Sequence, residues 1–237
     1  MGKEIKVLGI IPAREGSKRV PGKNFRPFAG TTLTDLAIKQ ALGSELMDTI
    51  VVNSDAEQIQ VIAEKYVHQG ITFLKRPKSL AGDESPAIDY MIQTLNWYKE
   101  QNVYFDLVVI IQPSSPLRDA KDIDATIQLL IDNSDADSAV SVVKLSHMIH
   151  PHKMKTMEGQ ILQPWLVDEK QQTAAHELPD IYVRNCAVYV FKTQHLIQGN
   201  TYGNKSLGYI MAPETSVDIN DKLDFTFAEY LYKEKKT

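Results

Sequence analysis

Lys6-Val7-Leu8-Gly9-Ile10-Ile11 runs directly into Pro12-Ala13-Arg14-Glu15-Gly16-Ser17-Lys18-Arg19-Val20-Pro21-Gly22-Lys23-Asn24. A short apolar run bounded by turn residues reads as a strand buried on both faces, which is the habit of a parallel sheet. The loop after it carries Arg14, Lys18, Arg19 and Lys23 among Gly16, Ser17 and Gly22. Glycines let backbone amides approach phosphate oxygens, and the cations neutralise their charge. A merely solvated basic loop is the alternative. A Walker A loop is excluded: that motif needs four residues between its glycines and Ser or Thr after the lysine. Here five residues separate Gly16 from Gly22, and Asn24 follows Lys23.

Working outward, helix and strand patterns alternate. Thr31 to Leu42 reads as a helix with Leu33, Leu36, Ala37 and Ala41 on one face and Thr31 or Thr32 as its cap. Thr49 to Asn53 is a strand, and Ala56 to Tyr66 a helix with Asp55 as candidate N-cap. Ile71 to Leu74 is a strand at a sheet edge, and Pro86 to Lys99 a long helix. Leu107-Val108-Val109-Ile110-Ile111, ended by Gln112-Pro113, is a central strand. Ala120 to Ile131 is a helix and Ser138 to Val143 a strand; Ile181 to Phe191 and Tyr209 to Met211 are further strands, before a terminal helix over Lys222 to Lys233. The expected fold is α/β: a mostly parallel, doubly wound, Rossmann-like sheet with helices on both faces. All 237 residues read as one domain.

The segment from about Leu145 to Leu178 breaks the rhythm. It is polar, holds His147, His150, His152 and His176, and includes extended runs such as Ile161-Leu162-Gln163-Pro164-Trp165-Leu166. It reads as an inserted subdomain of extended hairpin, spanning 145–180, that packs against a partner subunit.

A formal charge of −4 argues against a polyanion-coating protein, so no nucleic-acid partner is expected. The single Cys186 excludes an internal disulfide and a cysteine-rich zinc site. The apolar run at Val7 to Ile11 is too short for a signal sequence or a membrane span, leaving no membrane partner and a cytoplasmic location as the expectation.

Three further polar clusters end strands, where open α/β sheets bind ligands. Asn53-Ser54-Asp55 is one, with a helix cap as the alternative reading. Gln112-Pro113-Ser114-Ser115-Pro116-Leu117-Arg118 is another; its prolines fix a path presenting Gln112, the serine hydroxyls and Arg118. Asp218-Ile219-Asn220-Asp221 is the last. Alternate residues of an extended segment point one way, so Asp218 and Asn220 can face one Mg²⁺ held against a triphosphate. An Asx cap of the terminal helix is the alternative there.

Together these clusters resemble the acylneuraminate cytidylyltransferase family, with Kdo cytidylyltransferases as more distant relatives. The opening Ile-Pro-Ala-Arg-x-Gly-Ser-Lys-x-x-Pro-x-Lys-Asn carries every fixed residue of the family signature. Arg76-Pro77 with Leu80-Ala81 and Asp83 resembles its nucleoside-side loop, and Gln112 to Arg118 its Gln-Pro-Thr-Ser-Pro-Leu-Arg element with Ser114 for threonine. His150-Pro151-His152-Lys153 resembles a motif of its dimerisation subdomain, and Leu178-Pro179 with Asn185, Ala187 and Tyr189 its later strand.

The resemblance implies a Mg²⁺-dependent homodimer that joins CTP to an acidic, nonulosonate-like sugar, giving CMP-sugar and pyrophosphate. It implies nucleotide contacts from Ala13, Arg14, Gly16, Ser17, Lys23, Asn24, Arg76 and Ser114, with Arg14, Lys23 and Asp218 serving catalysis. Gln112, Lys153 and Asn185 would meet the sugar, Lys153 in the partner's site, and Asp218 and Asn220 would hold the metal. Four positions depart from the pattern: Asn220 replaces the second aspartate of Asp-Ile-Asp, Cys186 a glycine, and Ala175 and Val183 stand near basic positions of the family. Strand alternation places Arg184, next to Val183, on the opposite face. The nucleotide half of the site is thus intact and the sugar half altered. Other readings are a nucleotidyltransferase for another acid acceptor, or a catalytically weak nucleotide-binding partner.

Overall fold

The computed structural model describes residues 5–166 and 178–235. Its elements are β1 (Val7–Pro12), α1 (Leu33–Leu42), β2 (Thr49–Ser54), α2 (Glu57–Glu64), β3 (Ile71–Lys75), α3 (Ala87–Lys99), β4 (Leu107–Ile111) and α4 (Ala120–Asp132). They continue with β5 (Ser138–Lys144), β6 (Lys155–Glu158), β7 (Ile161–Pro164), β8 (Tyr182–Lys192), α5 (Thr193–Ile197), β9 (Ser206–Ile210) and α6 (Lys222–Glu234). One sheet has the order β3-β2-β1-β4-β8-β5-β9, and β6-β7 form a separate hairpin.

The large sheet is mostly parallel: β1 pairs in parallel with β2 and β4, β2 with β3, and β5 with β9. Within it, only β8 runs against its neighbours β4 and β5. All five residues of β4 are buried, as a central strand covered on both faces requires. One face meets Ala37, Ile38 and Ala41 of α1, Ile59 and Ile62 of α2, and Ile123 and Ile127 of α4. The other meets Tyr90, Met91 and Leu95 of α3 and Leu196 of α5. The doubly wound expectation therefore holds. Helix α6 packs elsewhere, placing Phe225 and Ala228 in a cluster with Val20, Phe28, Leu33 and Ile219.

Two local expectations change. Thr32 caps α1, its side chain accepting from Asp35 N–H, but Asp55 does not cap α2. Ala56 occupies that cap position, and the Asp55 carboxylate accepts from Glu15 N–H at 2.9 Å, bracing the basic loop instead. The last strand ends at Ile210, earlier than the apolar run through Met211 suggests, because β9 follows β5 only that far. The expected hairpin within 145–180 exists as β6-β7, all of its strand residues exposed. Ala175 and His176 lie outside the described residues. No helix among the described residues is long and apolar enough to cross a membrane.

Candidate nucleotide site

Four adjacent parallel strands deliver their polar clusters to one end of the sheet. The loop after β1, Arg76 after β3 and Gln112 to Ser114 after β4 line a cleft of about 230 Å³. Of the residues expected to bind nucleotide or sugar, Arg14, Gly16, Ser17, Lys23, Asn24, Arg76, Gln112 and Ser114 meet there. Leu80, Asp83, Ser85, Ala87 and Tyr90 are among its other walls. Tyr90 has no distinctive sequence signal, since helical periodicity groups it with the core residues Met91, Leu95 and Tyr98.

The basic loop is shaped by its own contacts. Fully buried Val20 anchors its middle against Ile219 and Phe28. Gly22 sits at φ +65°, and a Cβ there would lie 2.9 Å from the Phe25 ring, so the turn after Val20 requires glycine. The Asn24 amide donates to Arg14 O at 3.0 Å, and Asn24 O accepts from Thr34 N at 3.1 Å and Thr34 Oγ1 at 2.9 Å. Ala13 is buried beneath: its N–H donates to Asn53 O at 3.1 Å and its carbonyl accepts from Ser54 Oγ.

The cations are pre-positioned. Arg14 Nη1 meets Asp83 Oδ1 at 2.6 Å, and Lys18 Nζ meets Asp83 Oδ2 at 2.5 Å. Lys23 Nζ donates to Ile219 O at 2.7 Å, and burial lowers its amine below the ordinary lysine range. Arg76 is buried; its Nε donates to Asn53 Oδ1 at 2.6 Å and its Nη2 to Asn53 O at 3.0 Å. Its guanidinium lies 4.4 Å from the Tyr90 ring centroid, and burial disfavours its charge. Asn53 is therefore the partner of Arg76, not a helix cap. Arg118 corrects another expectation: it is 1% exposed and donates to Gln112 O at 2.5 Å and Ala187 O at 3.1 Å. It braces the loop from behind and is not presented to the cleft.

Ile219 is buried and its N–H donates to Ser114 O at 2.8 Å, which ties its segment to the cleft wall; Asp218 and Asn220 flank it beside the basic loop, and neither lines the cleft. Asn220 Nδ2 donates to Asp218 Oδ2 at 2.8 Å, while Asn220 Oδ1 accepts from Arg19 Nη2 at 3.2 Å. Asp221 points away and caps α6, accepting from Leu223 N at 2.8 Å and Asp224 N at 2.9 Å. The pair fits a hard divalent cation: one carboxylate and one amide oxygen supply two ligands after the amide turns over, and phosphates and water supply the rest.

A second pocket of about 400 Å³ adjoins the cleft, with Ala87, Tyr90 and Gln112 lining both. Tyr189, Phe191 and Tyr202 form its aromatic walls, and among the described residues no charged one lines it. A bulge in β8 orients this region. Val140 pairs with Tyr189 but Val142 pairs with Arg184, so two steps along β5 span five along β8. The mismatch is odd, so Arg184 shares a face with Tyr189, although local alternation still sets it opposite Asn185. The bulge contains Cys186 at φ +61°, a conformation unfavourable to a residue with a Cβ. Ser141 replaces the lost ladder bonds, its Oγ accepting from Val188 N at 2.8 Å and donating to Asn185 Oδ1 at 2.6 Å.

Asn185 is accordingly buried, its amide committed to Ser216 Oγ at 2.9 Å and Met211 Sδ at 3.1 Å, and it lines neither pocket. Cys186 is half-buried, and burial pushes its thiol up. Lys153 is exposed beside His147 Nδ1 at 2.8 Å, and it too lines neither pocket.

A cation-lined cleft at the carboxyl ends of parallel strands defines a nucleotide-binding α/β protein. A sequence model of the cytidylyltransferase family matches residues 8–211, and the chain belongs to that family. It is 30% identical over 234 residues to post-translational flagellin modification protein B of Campylobacter coli, covering 97% of this chain and 96% of that protein. It is 31% identical over 231 residues to CMP-N,N'-diacetyllegionaminic acid synthase of Legionella pneumophila, covering 96% of each chain. The structure of a CMP:2-keto-3-deoxy-manno-octonic acid synthetase complexed with CTP shares the fold, with a TM-score of 0.71 at 14% identity over 97% of this chain and 99% of that one.

Proposed function

We propose that this cytidylyltransferase joins CTP to an acidic, nonulosonate-like sugar. The observation that carries the reading is that an uncharged aromatic pocket adjoins the cationic cleft, with Gln112 and Tyr90 lining both. The acceptor's anomeric oxygen attacks the α-phosphorus, the bond from that phosphorus to the bridging oxygen breaks, and pyrophosphate leaves. The hydroxyl proton passes to solvent, so CTP and the sugar give CMP-sugar, pyrophosphate and a proton. Arg14 and Lys23 neutralise the triphosphate, Asn24 holds the loop, and Gln112 orients the acceptor at the junction. Catalysis is then chiefly positioning and charge neutralisation. Asp218 and Asn220 would hold Mg²⁺, which when bound supplies charge neutralisation on phosphate oxygens.

The hairpin supports a homodimer of this chain, formed through the 145–180 subdomain. Met148, Met157, Ile161, Leu162 and Trp165 are large, apolar and exposed there. In such a dimer Lys153 would act in the partner's site. A cytoplasmic setting accords with the single unpaired Cys186. The experiment is pyrophosphate release from CTP and Mg²⁺ with a panel of acidic sugars. Turnover supports the enzyme. Tight CTP binding without turnover of any acceptor supports the binding-protein reading, which the amide of Asn220 beside Asp218 favours.

A further inference from the structure

We propose that Arg184 is the specificity-determining residue that receives the acceptor's carboxylate. This rests on the reading of the aromatic pocket as the acceptor site.

An acidic acceptor seated in that pocket meets walls without charge: its polar groups come from tyrosine hydroxyls, Thr201 and Gln112. The neighbouring cations are committed. Lys23 and Arg14 face the triphosphate cleft, and the buried Arg76 is held on Asn53 behind the Tyr90 ring. A carboxylate desolvated against apolar walls needs a cation or it costs affinity.

Arg184, exposed and outside the pocket lining, supplies one from beside its Tyr202 wall. The bulge in β8 turns it onto the face that carries Tyr189, and its guanidinium carbon stands 4.9 Å from the Tyr202 ring centroid. Tyr202 is itself a wall of the pocket, packed edge-on to Phe191 at 5.7 Å. A guanidinium lying on a ring uses its plane for the ring and keeps its N–H edge free, the geometry that a carboxylate takes in two parallel hydrogen bonds. Among the described residues no carboxylate pairs with Arg184, so its donors need not be freed from an acidic partner.

The test crosses two changes. Wild type, Arg184→Gln and Arg184→Lys are assayed with an acidic sugar that wild type accepts and with its uncharged methyl ester. Arg184→Gln should raise KM for the acid about tenfold or more, leave KM for CTP within about twofold, and hardly change turnover of the ester. Arg184→Lys should fall between, since it keeps charge and loses the planar edge. Equal losses on acid and ester, no loss on either, or a wild type that accepts both alike would overturn the assignment while leaving the transferase reading standing. A wild type that turns over no acidic sugar would sink that reading, and this assignment with it. Unchanged thermal unfolding and CTP affinity of the variants separate recognition from misfolding.

Discussion

Lys23 Nζ donates to the carbonyl of Ile219 at 2.7 Å, so the cation of the opening loop is fastened to the residue between Asp218 and Asn220. The loop and the candidate metal pair therefore form one unit although they lie at opposite ends of the chain. Replacing Lys23 by Ala should weaken CTP binding by about ten- to a hundredfold, the worth of a charge-assisted contact. Calorimetric titration with CTP checks this, and unchanged affinity removes the assignment.

The same lysine predicts a pH dependence. Burial, the largest influence, lowers its pKa below the ordinary lysine value in spite of nearby Asp218. The anionic triphosphate prefers the ammonium, so affinity is full below the lowered pKa and falls as pH rises through it. CTP binding should thus begin to weaken on the alkaline side before an ordinary lysine titrates. The variant Lys23→Arg keeps its charge throughout that range and should flatten the limb. A limb of the same position in both proteins would assign the titration to another group.

Asp83 holds Arg14 and Lys18 across the mouth of the cleft, and the phosphates compete for the same two cations. Exposed pairs of this kind contribute little, so Asp83→Asn should tighten CTP binding by about a few-fold at low salt. The gain should shrink as salt rises. Weaker binding in the variant would mean that Asp83 instead serves the nucleotide directly.

Much of the fold and the cleft is legible in the chain, for identifiable reasons. Strands such as Leu107–Ile111, buried on both faces, announce themselves as unbroken apolar runs. The basic loop is legible because chemistry and glycine spacing coincide in one stretch. What stays hidden depends on pairing at a distance. The antiparallel entry of β8 and its bulge are set by β4 and β5, and nothing local signals that Arg184 and Tyr189 share a face. Asn53 looks like a cap because its partner, Arg76, lies just past the next strand. Arg118 looks like a ligand because a buried arginine held through one nitrogen by two carbonyls has no sequence mark.

The exposed hairpin predicts an interface. Met157 is 69% exposed and Leu162 59%, and the two pair directly across β6-β7. A double change, Met157→Asp with Leu162→Asp, puts two charges where a second copy would bury apolar surface. Sedimentation should then show a monomer whose CTP affinity is retained. A monomeric wild type would refute the homodimer at once.

Asn220 offers the sharpest test of the metal. Its amide donates to Asp218 at 2.8 Å, a contact that a carboxylate cannot make. Asn220→Asp would set two like charges side by side, unfavourable alone and favourable around a divalent cation. The variant should therefore reach half-maximal pyrophosphate release at about tenfold lower Mg²⁺ and depend more steeply on the metal. Its stability should fall in chelator and recover when Mg²⁺ is added, because only the bound state offsets the repulsion. A Mg²⁺ profile and a melting point that both match wild type would show that position 220 does not touch the metal, and Asp218 would have to hold it with the phosphates alone.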